Sequence, residues 1–529
     1  MKGFETLLGL LFASALLAAL ARKARLPVPI VMVLGGVAAA FAPVVRELAI
    51  DPEVAFAVFV PPLLFRAATT TSVREVRDHL RSVALLAVGL VLATTVVVAA
   101  VARYAIPGIA WPAAFVLGAV LSPPDAVVSI ALARALKVHR TLVSLVEGEG
   151  LLNDTTAFVV YGQAVHAVVT GRFSLVRAVP EFLLVGLGGA VVGLAVYLVV
   201  SRLRTISKDP IVLNVIWLLT PFAAFLPAER IGASGVLAVV VAGVLLRRWS
   251  SLAVAAETRI TGQSVFDVLE FILNSLMFIL IGMQVGAILR DPGAPPLLHV
   301  LQSTAVVTGA VVVLRFLWMF PSAYLPRLLS ANVRKREGMP PPGNVALLAW
   351  MGIRGGDSLV TALALPTITA AGVPFPSREL IVATTFGVIL ATMLLQGLTL
   401  APFIKWMRLP VDHSLDGELV LARRKMVEAG DAWLGHVAEQ GNEPGAILER
   451  VRGHYARKAQ LELDLEGDGQ DRATAETYRR LEHGLLAARR RAAVSLRDQR
   501  VIDDEVLSRL ERELDLEELR IGPDEEEPG

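Results

Sequence analysis

The sequence predicts an all-α polytopic membrane protein, with about thirteen transmembrane helices over residues 1–408 and a charged helical tail over residues 410–529. Three observations predict it. The 529-residue chain is 55% hydrophobic, and its mean hydropathy of +0.62 is well above that of a soluble domain. Apolar runs long enough to cross about 30 Å of hydrocarbon recur along the first region. Basic residues alternate between dense and sparse loops, as the positive-inside rule requires of a multi-span chain.

Taken in order, the apolar runs cover residues 4–21, 28–46, 52–70, 83–104, 111–134, 142–169, 175–200, 210–228, 232–248, 264–289, 298–325, 344–371 and 379–404. The first is preceded only by Lys2 and lacks a cleavage motif, so it reads as a retained span and not a signal peptide. Alternate loops carry clusters: Arg22, Lys23 and Arg25; Arg74, Arg77 and Arg81; Arg134, Lys137 and Arg140; Arg202, Arg204 and Lys208; Arg247, Arg248 and Arg259; Arg327, Arg334, Lys335 and Arg336. The loops between hold about one basic residue each, such as Arg46, Arg103 and Arg230, with Arg172 and Arg177 sharing one. This pattern places the N-terminus outside and, with an odd number of spans, the tail in the cytoplasm. In the tail, amphipathic helices are expected over residues 472–499 and 503–519, and the acidic run at 524–527 reads as a solvated end.

What the composition excludes narrows the function. There is no cysteine, hence no disulfide, thiolate metal site or cysteine nucleophile. No GxxxxGK[ST] loop is present, so ATP-driven pumping is not expected and an ion gradient is the available energy source. No TVGYG-like filter argues for a channel. His166 stands alone, without the partner that an intramembrane hydrolase needs. The protein reads as no enzyme, with no cofactor and no nucleic-acid partner.

Four polar places interrupt the apolar spans. At Ser122-Pro123-Pro124-Asp125 two prolines break the helix, and such backbone survives in a membrane only where it is buried in protein or lines a cavity. Asp125 would compensate the positive amide end of the half-helix that follows. The run Glu147-Gly-Glu149-Gly150-Leu-Leu-Asn153-Asp154 puts Glu147, Gly150 and Asp154 on one helix face, and Glu149, Asn153 and Thr156 on the adjacent one. Ionisable groups at bilayer depth cost several kcal/mol and mark ion pathways, so Asp154 is the expected carboxylate for a transported cation or proton. Asn153 cannot titrate, which leaves one carboxylate to hold one proton or one Na+ in turn. The glycines around Arg354 in Gly352-Ile-Arg354-Gly-Gly-Asp357 predict a second break, and the arginine needs an acidic partner or free carbonyls. At Pro61-Pro-Leu-Leu-Phe-Arg66, Arg66 either snorkels to the interface or turns into the bundle.

These motifs together resemble the bacterial NhaP-type Na+/H+ antiporters of the monovalent cation:proton antiporter superfamily. The matching pieces are PPLLF at Pro61–Phe65, LSPPDAV at Leu121–Val127, ExLLNDxTA at Glu149–Ala157, the FxLNxLxFxLIGMQ-like run at Phe271–Gln284 and GxRGxxSLxxALALP at Gly352–Pro366. The resemblance implies an inverted-repeat fold with two broken crossing helices, divided into dimerisation and core subdomains. It also implies a homodimer in the bacterial inner membrane. The implied activity is electroneutral exchange of Na+ or Li+, or of K+ in a variant, for H+ by alternating access. Carried over residue by residue, Asp154 binds ion and proton, Asn153 is its neighbour, Asp125 is the nearby acid of the first break, and Glu149 pairs with Arg354. Two departures stand out: Pro124 replaces a threonine and Gly150 replaces a serine, removing two side-chain oxygens near the ion. Arg66 and Asp357 also depart, in opposite charge senses; either they form a buried ion pair or Asp357 is a second acid of the ion site.

Overall fold

Length and apolar patterning produce helices nearly throughout. The computed structural model describes residues 2–24, 26–42, 52–71, 73–126, 129–130, 133, 136, 138–171, 175–253, 256–290, 295–369, 372–407, 414–440, 444–464, 470–499, 501 and 504–521. Among them no strand forms. In lipid a helix satisfies its own backbone, so an apolar chain of this kind has little alternative. The loop residues Arg25, Arg46, Arg134, Lys137 and Arg172, Val127 of the proline motif, the side chains of Arg74, Arg177, Arg248, Gln284 and Arg336, and the 524–527 run lie outside the described residues.

The chain divides into two compact units, Met1–Val411 and Asp412–Gly529. In the first, α1 (Lys2–Lys23), α2 (Val28–Ala39) and α3 (Pro52–Thr70) precede α4 (Leu80–Ala105) and the half-helix α5 (Trp111–Val120). A 31-residue helix, α6 (Arg140–Thr170), follows. Then come α7 (Leu175–Ile206), α8 (Pro210–Arg230), α9 (Gly235–Ala253), α10 (Ala256–Arg290) and α11 (Leu297–Leu329). The short α12 (Ala331–Glu337) leads to a second pair of half-helices, α13 (Pro342–Trp350) and α14 (Gly356–Leu363), and to α15 (Arg378–Trp406). Six described helices are long and apolar enough to cross a membrane.

Pro61 and Pro62 lie buried inside a continuous α3. Neighbouring helices re-satisfy freed backbone groups in a membrane, which lets a helix run through proline. Several apolar clusters pack the unit, and one joins α2, α3, α10, α14 and α15 through Met32, Phe59, Phe278, Leu359 and Ile389. A second joins α3 to α7, α8, α9 and α10 through Phe65, Ala224, Phe225 and Leu246. Others join α4, α5, α6, α11, α14 and α15 through Val98, Leu117, Ala164, Val311 and Ile381, and join α4, α6, α11 and α13 through Leu90, Val146, Met319 and Leu347. A small cluster of Ala68, Leu151 and Val240, edged by Ala67, Leu152 and Val244, is where α3, α6 and α9 touch.

The second unit holds four helices, α16 (Ser414–Gln440), α17 (Gly445–Asp464), α18 (Gln470–Asp498) and α19 (Asp504–Ile521). Arg489 pairs with Glu517, while Arg490 pairs with Asp515 and Glu518, lacing α18 to α19. Tyr455 Oη donates to Met426 O at 3.2 Å and ties α17 to α16.

Candidate ion-binding site

The double proline ends α5 at Val120, and residues Leu121–Asp125 run on as buried, non-helical backbone before helical conformation resumes at Ala126. The glycine-rich segment behaves likewise: α13 stops at Trp350, residues Met351–Gly355 are buried and non-helical, and α14 begins at Gly356. The two breaks pin each other. Asp125 N donates to Ile353 O at 2.7 Å, and Ser129 Oγ donates to Met351 O at 2.9 Å. A side chain at Gly355 would overlap the Asp125 carboxylate, so only glycine lets the breaks approach this closely. The exposed carbonyls at the end of α14 are taken by Arg378, whose Nε reaches Leu365 O at 3.0 Å and whose Nη2 reaches Leu363 O at 3.1 Å.

Against this crossing lies the middle of α6. Asn153, fully buried, donates from Nδ2 to Pro124 O at 3.1 Å, tying α6 to the first break. Its Oδ1 accepts the Asp154 N–H at 2.7 Å. Asp154 itself is buried, and no described residue donates a hydrogen bond to its carboxylate. Asp125 and Asp357 lie within electrostatic range of it, Asp357 in the first turn of α14. The buried hydroxyls of Thr155 and Ser358, each adjacent in sequence to one of these acids, have no hydrogen-bond partner among the described residues. The three carboxylates concentrate negative charge at the crossing, although no three acidic or histidine side chains among the described residues stand close enough together to hold a metal ion between them.

Gly150 has a steric explanation. A Cβ there would fall on the Cβ of Ala126, where the second half-helix begins, so serine would not fit.

Both expected ion pairs are replaced by others. Glu149 is bonded to Arg315 of α11: Nη1 meets Oε1 at 2.6 Å and Nη2 meets Oε2 at 2.8 Å, with both side chains buried. Arg354 lies within electrostatic range of this pair, but no ion pair joins it to Glu149, and its Nε and Nη1 have no partner among the described residues. Its backbone N–H donates to Thr392 Oγ1 at 3.1 Å. Arg315 reaches Glu149 first because α11 packs across α13, where its Nε also meets Leu348 O at 3.3 Å. Arg66 pairs with Asp267 and, at 3.5 Å, with Glu270, not with Asp357. It lies in the C-terminal half of α3, beside α10, and its side chain bonds that neighbour.

Two features flank Asp154 along α6. Three to one side, Leu151 belongs to the apolar contact with Ala68 and Val240. On the other, a cavity of about 450 Å3 is lined by Phe158, Tyr161 and His166 of α6, by Glu229 and Ser234 near the α8–α9 turn, and by Thr361 of α14.

A profile described as "Sodium/hydrogen exchanger, transmembrane" matches residues 11–406, covering both breaks, α6 and every helix of the first unit. The chain belongs to the sodium/hydrogen exchanger family. An uncharacterised Na+/H+ exchanger of Mycobacterium tuberculosis is 34% identical over 98% of this exchanger and 96% of its own length. A sodium, potassium, lithium and rubidium/H+ antiporter of Bacillus pumilus is 33% identical over 76% of the chain and 61% of its own length. The solved structure of the sodium proton antiporter MjNhaP1 from Methanocaldococcus jannaschii superposes with a TM-score of 0.58 at 18% identity, covering 78% of this chain and 99% of that one. The exchanger therefore has the antiporter fold and is a multi-pass membrane protein.

Arg315 is the functional-site residue of this exchanger that the motifs did not reveal. Its signal was present: a lone arginine in the apolar run Val-Val-Val-Leu-Arg-Phe-Leu-Trp must have a partner inside the bundle. Which acid it meets depends on helix packing that no local pattern encodes.

Proposed function

We propose that the protein exchanges a monovalent cation, Na+ or Li+ and also K+, one for one against H+ by alternating access, with Asp154 binding cation and proton in competition. One observation carries this reading: Asp154 is a buried carboxylate without a hydrogen-bond donor, set against two broken helices, with a cavity on one side and an apolar closure on the other. A carboxylate held this way must be neutralised, and a proton or a cation can each do it. Because both use the same oxygens, they exclude one another, and that exclusion couples the two fluxes.

The remaining residues take roles around it. Asn153 holds α6 to the Pro124 carbonyl and contributes no charge, so the Asn153–Asp154 pair supplies a single titrating group. Asp125 and Asp357 supply negative potential that draws in the cation, while Glu149 and Arg315 neutralise each other and keep the helices together. The closure formed by Ala68, Leu151 and Val240 seals the basic-loop side and the cavity opens toward the other, which supports an outward-facing arrangement in a bacterial inner membrane with the N-terminus outside. The thirteen-helix inverted-repeat organisation and a homodimer belong to the same reading. The broad cation range named for the Bacillus pumilus relative supports including K+.

The test is transport by the purified full chain in proteoliposomes. A pH gradient is imposed, Na+, Li+ or K+ is added, and internal pH is followed. Cation-driven dissipation that ignores membrane potential supports one-for-one exchange. Dissipation that persists in Asp154→Asn overturns the central assignment.

A further inference from the structure

We infer that Arg81 and Arg327 form a binding site for the phosphate of an anionic phospholipid at the basic-loop end of the first unit. Two guanidinium groups there share one carboxylate oxygen. Arg81 Nη2 meets Glu337 Oε2 at 2.6 Å, and Arg327 Nη2 meets the same oxygen at 2.9 Å. The cluster keeps one unbalanced positive charge. Arg77, Arg334 and Lys335 on the flanking turns add more, against one further described acid, Asp78.

The donors are also in excess. Arg327 is 7% exposed, and its Nη1 donates to Ala323 O. Its Nε, together with Nε and Nη1 of Arg81, has no hydrogen-bond partner among the described residues, although all three atoms are buried. Buried N–H groups of a cation are costly to leave unbonded, and a phosphate, with several anionic oxygens, fits a guanidinium fork better than water does.

The surroundings identify the source of that phosphate. Leu80 beside Arg81, and Leu325, Leu328 and Leu329 beside Arg327, all present exposed side chains at the end of a membrane helix. Exposed leucines beside a basic, donor-rich cluster suit a headgroup whose acyl chains lie along the leucines, as at basic lipid sites on the cytoplasmic side of membrane proteins. Free phosphate would use the arginines and gain nothing from the leucines.

The test uses purified full-length protein in neutral detergent and reads lipid retention by native mass spectrometry alongside thermal stability. Phosphatidylglycerol should be retained and raise the melting temperature, whereas phosphatidylcholine with the same chains should do neither. Arg81→Gln should weaken phosphatidylglycerol binding about fivefold, the effect of one basic residue near an anionic headgroup. Glu337→Gln removes the competing carboxylate and should strengthen binding by a similar factor. That opposite sign distinguishes a ligand site from an internal ion-pair cluster, and it decides the matter even where Arg81→Gln fails to fold. Equal retention by the wild type and Arg81→Gln, no gain in Glu337→Gln, or equal stabilisation by inorganic phosphate overturns the proposal.

Discussion

Glu149 of α6 and Arg315 of α11 form a buried bidentate ion pair, with N···O distances of 2.6 and 2.8 Å, behind the crossing of the two broken helices. Such a pair fixes geometry more than it adds net stability, because desolvating two charges consumes most of the attraction. Removing one partner is a different matter, since the other charge is then stranded. Arg315→Met should therefore destabilise the protein by about 3–5 kcal/mol, and the double variant Arg315→Met/Glu149→Leu should recover much of that loss. Thermal melting in detergent measures both. A double variant no more stable than the single would mean that Glu149 relies on Arg354 instead.

Asp154→Asn should abolish cation-dependent proton movement while leaving the fold intact, because the amide is nearly isosteric and removes only the titrating oxygen. Internal pH in proteoliposomes and melting temperature, read together, separate loss of transport from loss of protein.

Competition at one carboxylate has a defined pH signature. Below the pH at which Asp154 releases its proton, each unit of acidification should raise the apparent KM for Na+ about tenfold while the maximal rate at saturating Na+ holds. A KM that ignores pH while kcat falls would place the proton on another group.

Asp357→Asn should raise the KM for the cation about tenfold with a smaller change in kcat, since a nearby negative charge attracts the ion without receiving it. Arg66→Ala should leave the KM unaltered, because Arg66 bonds Asp267 and Glu270 on α10. Equal KM effects from the two variants would revive a link between Arg66 and Asp357.

Gly150→Ser should not improve cation binding. The added side chain meets Ala126, and overpacking of this sort costs about 1–3 kcal/mol. Combining it with Ala126→Gly should restore both stability and transport. Failure of that rescue would locate the requirement for glycine elsewhere.

The two breaks were legible because proline and glycine act locally: Pro123 and Pro124 cannot continue a helix in any surroundings, and three glycines around Arg354 seldom do. Asp154 was legible for the same kind of reason, since charge in hydrocarbon demands an explanation from composition alone. The pairings were not. Arg315 and Arg354 are both buried arginines within reach of one acid, and which of them bonds Glu149 depends on how α11 crosses α13. Gly150 looked like a missing ligand until Ala126 was seen to occupy the space.

The contact of Ala67, Ala68, Leu151, Leu152, Val240 and Val244 contains no hydrogen-bonding side chain. Dispersion between aliphatic groups has no preferred direction, so one layer can slip past another by a helical turn and meet equivalent neighbours. A seam of this kind works as a bearing: it excludes water in any register and latches in none. In the exchange cycle proposed above, the end-points of any sliding would then be set by polar contacts at its margins and not by the seam.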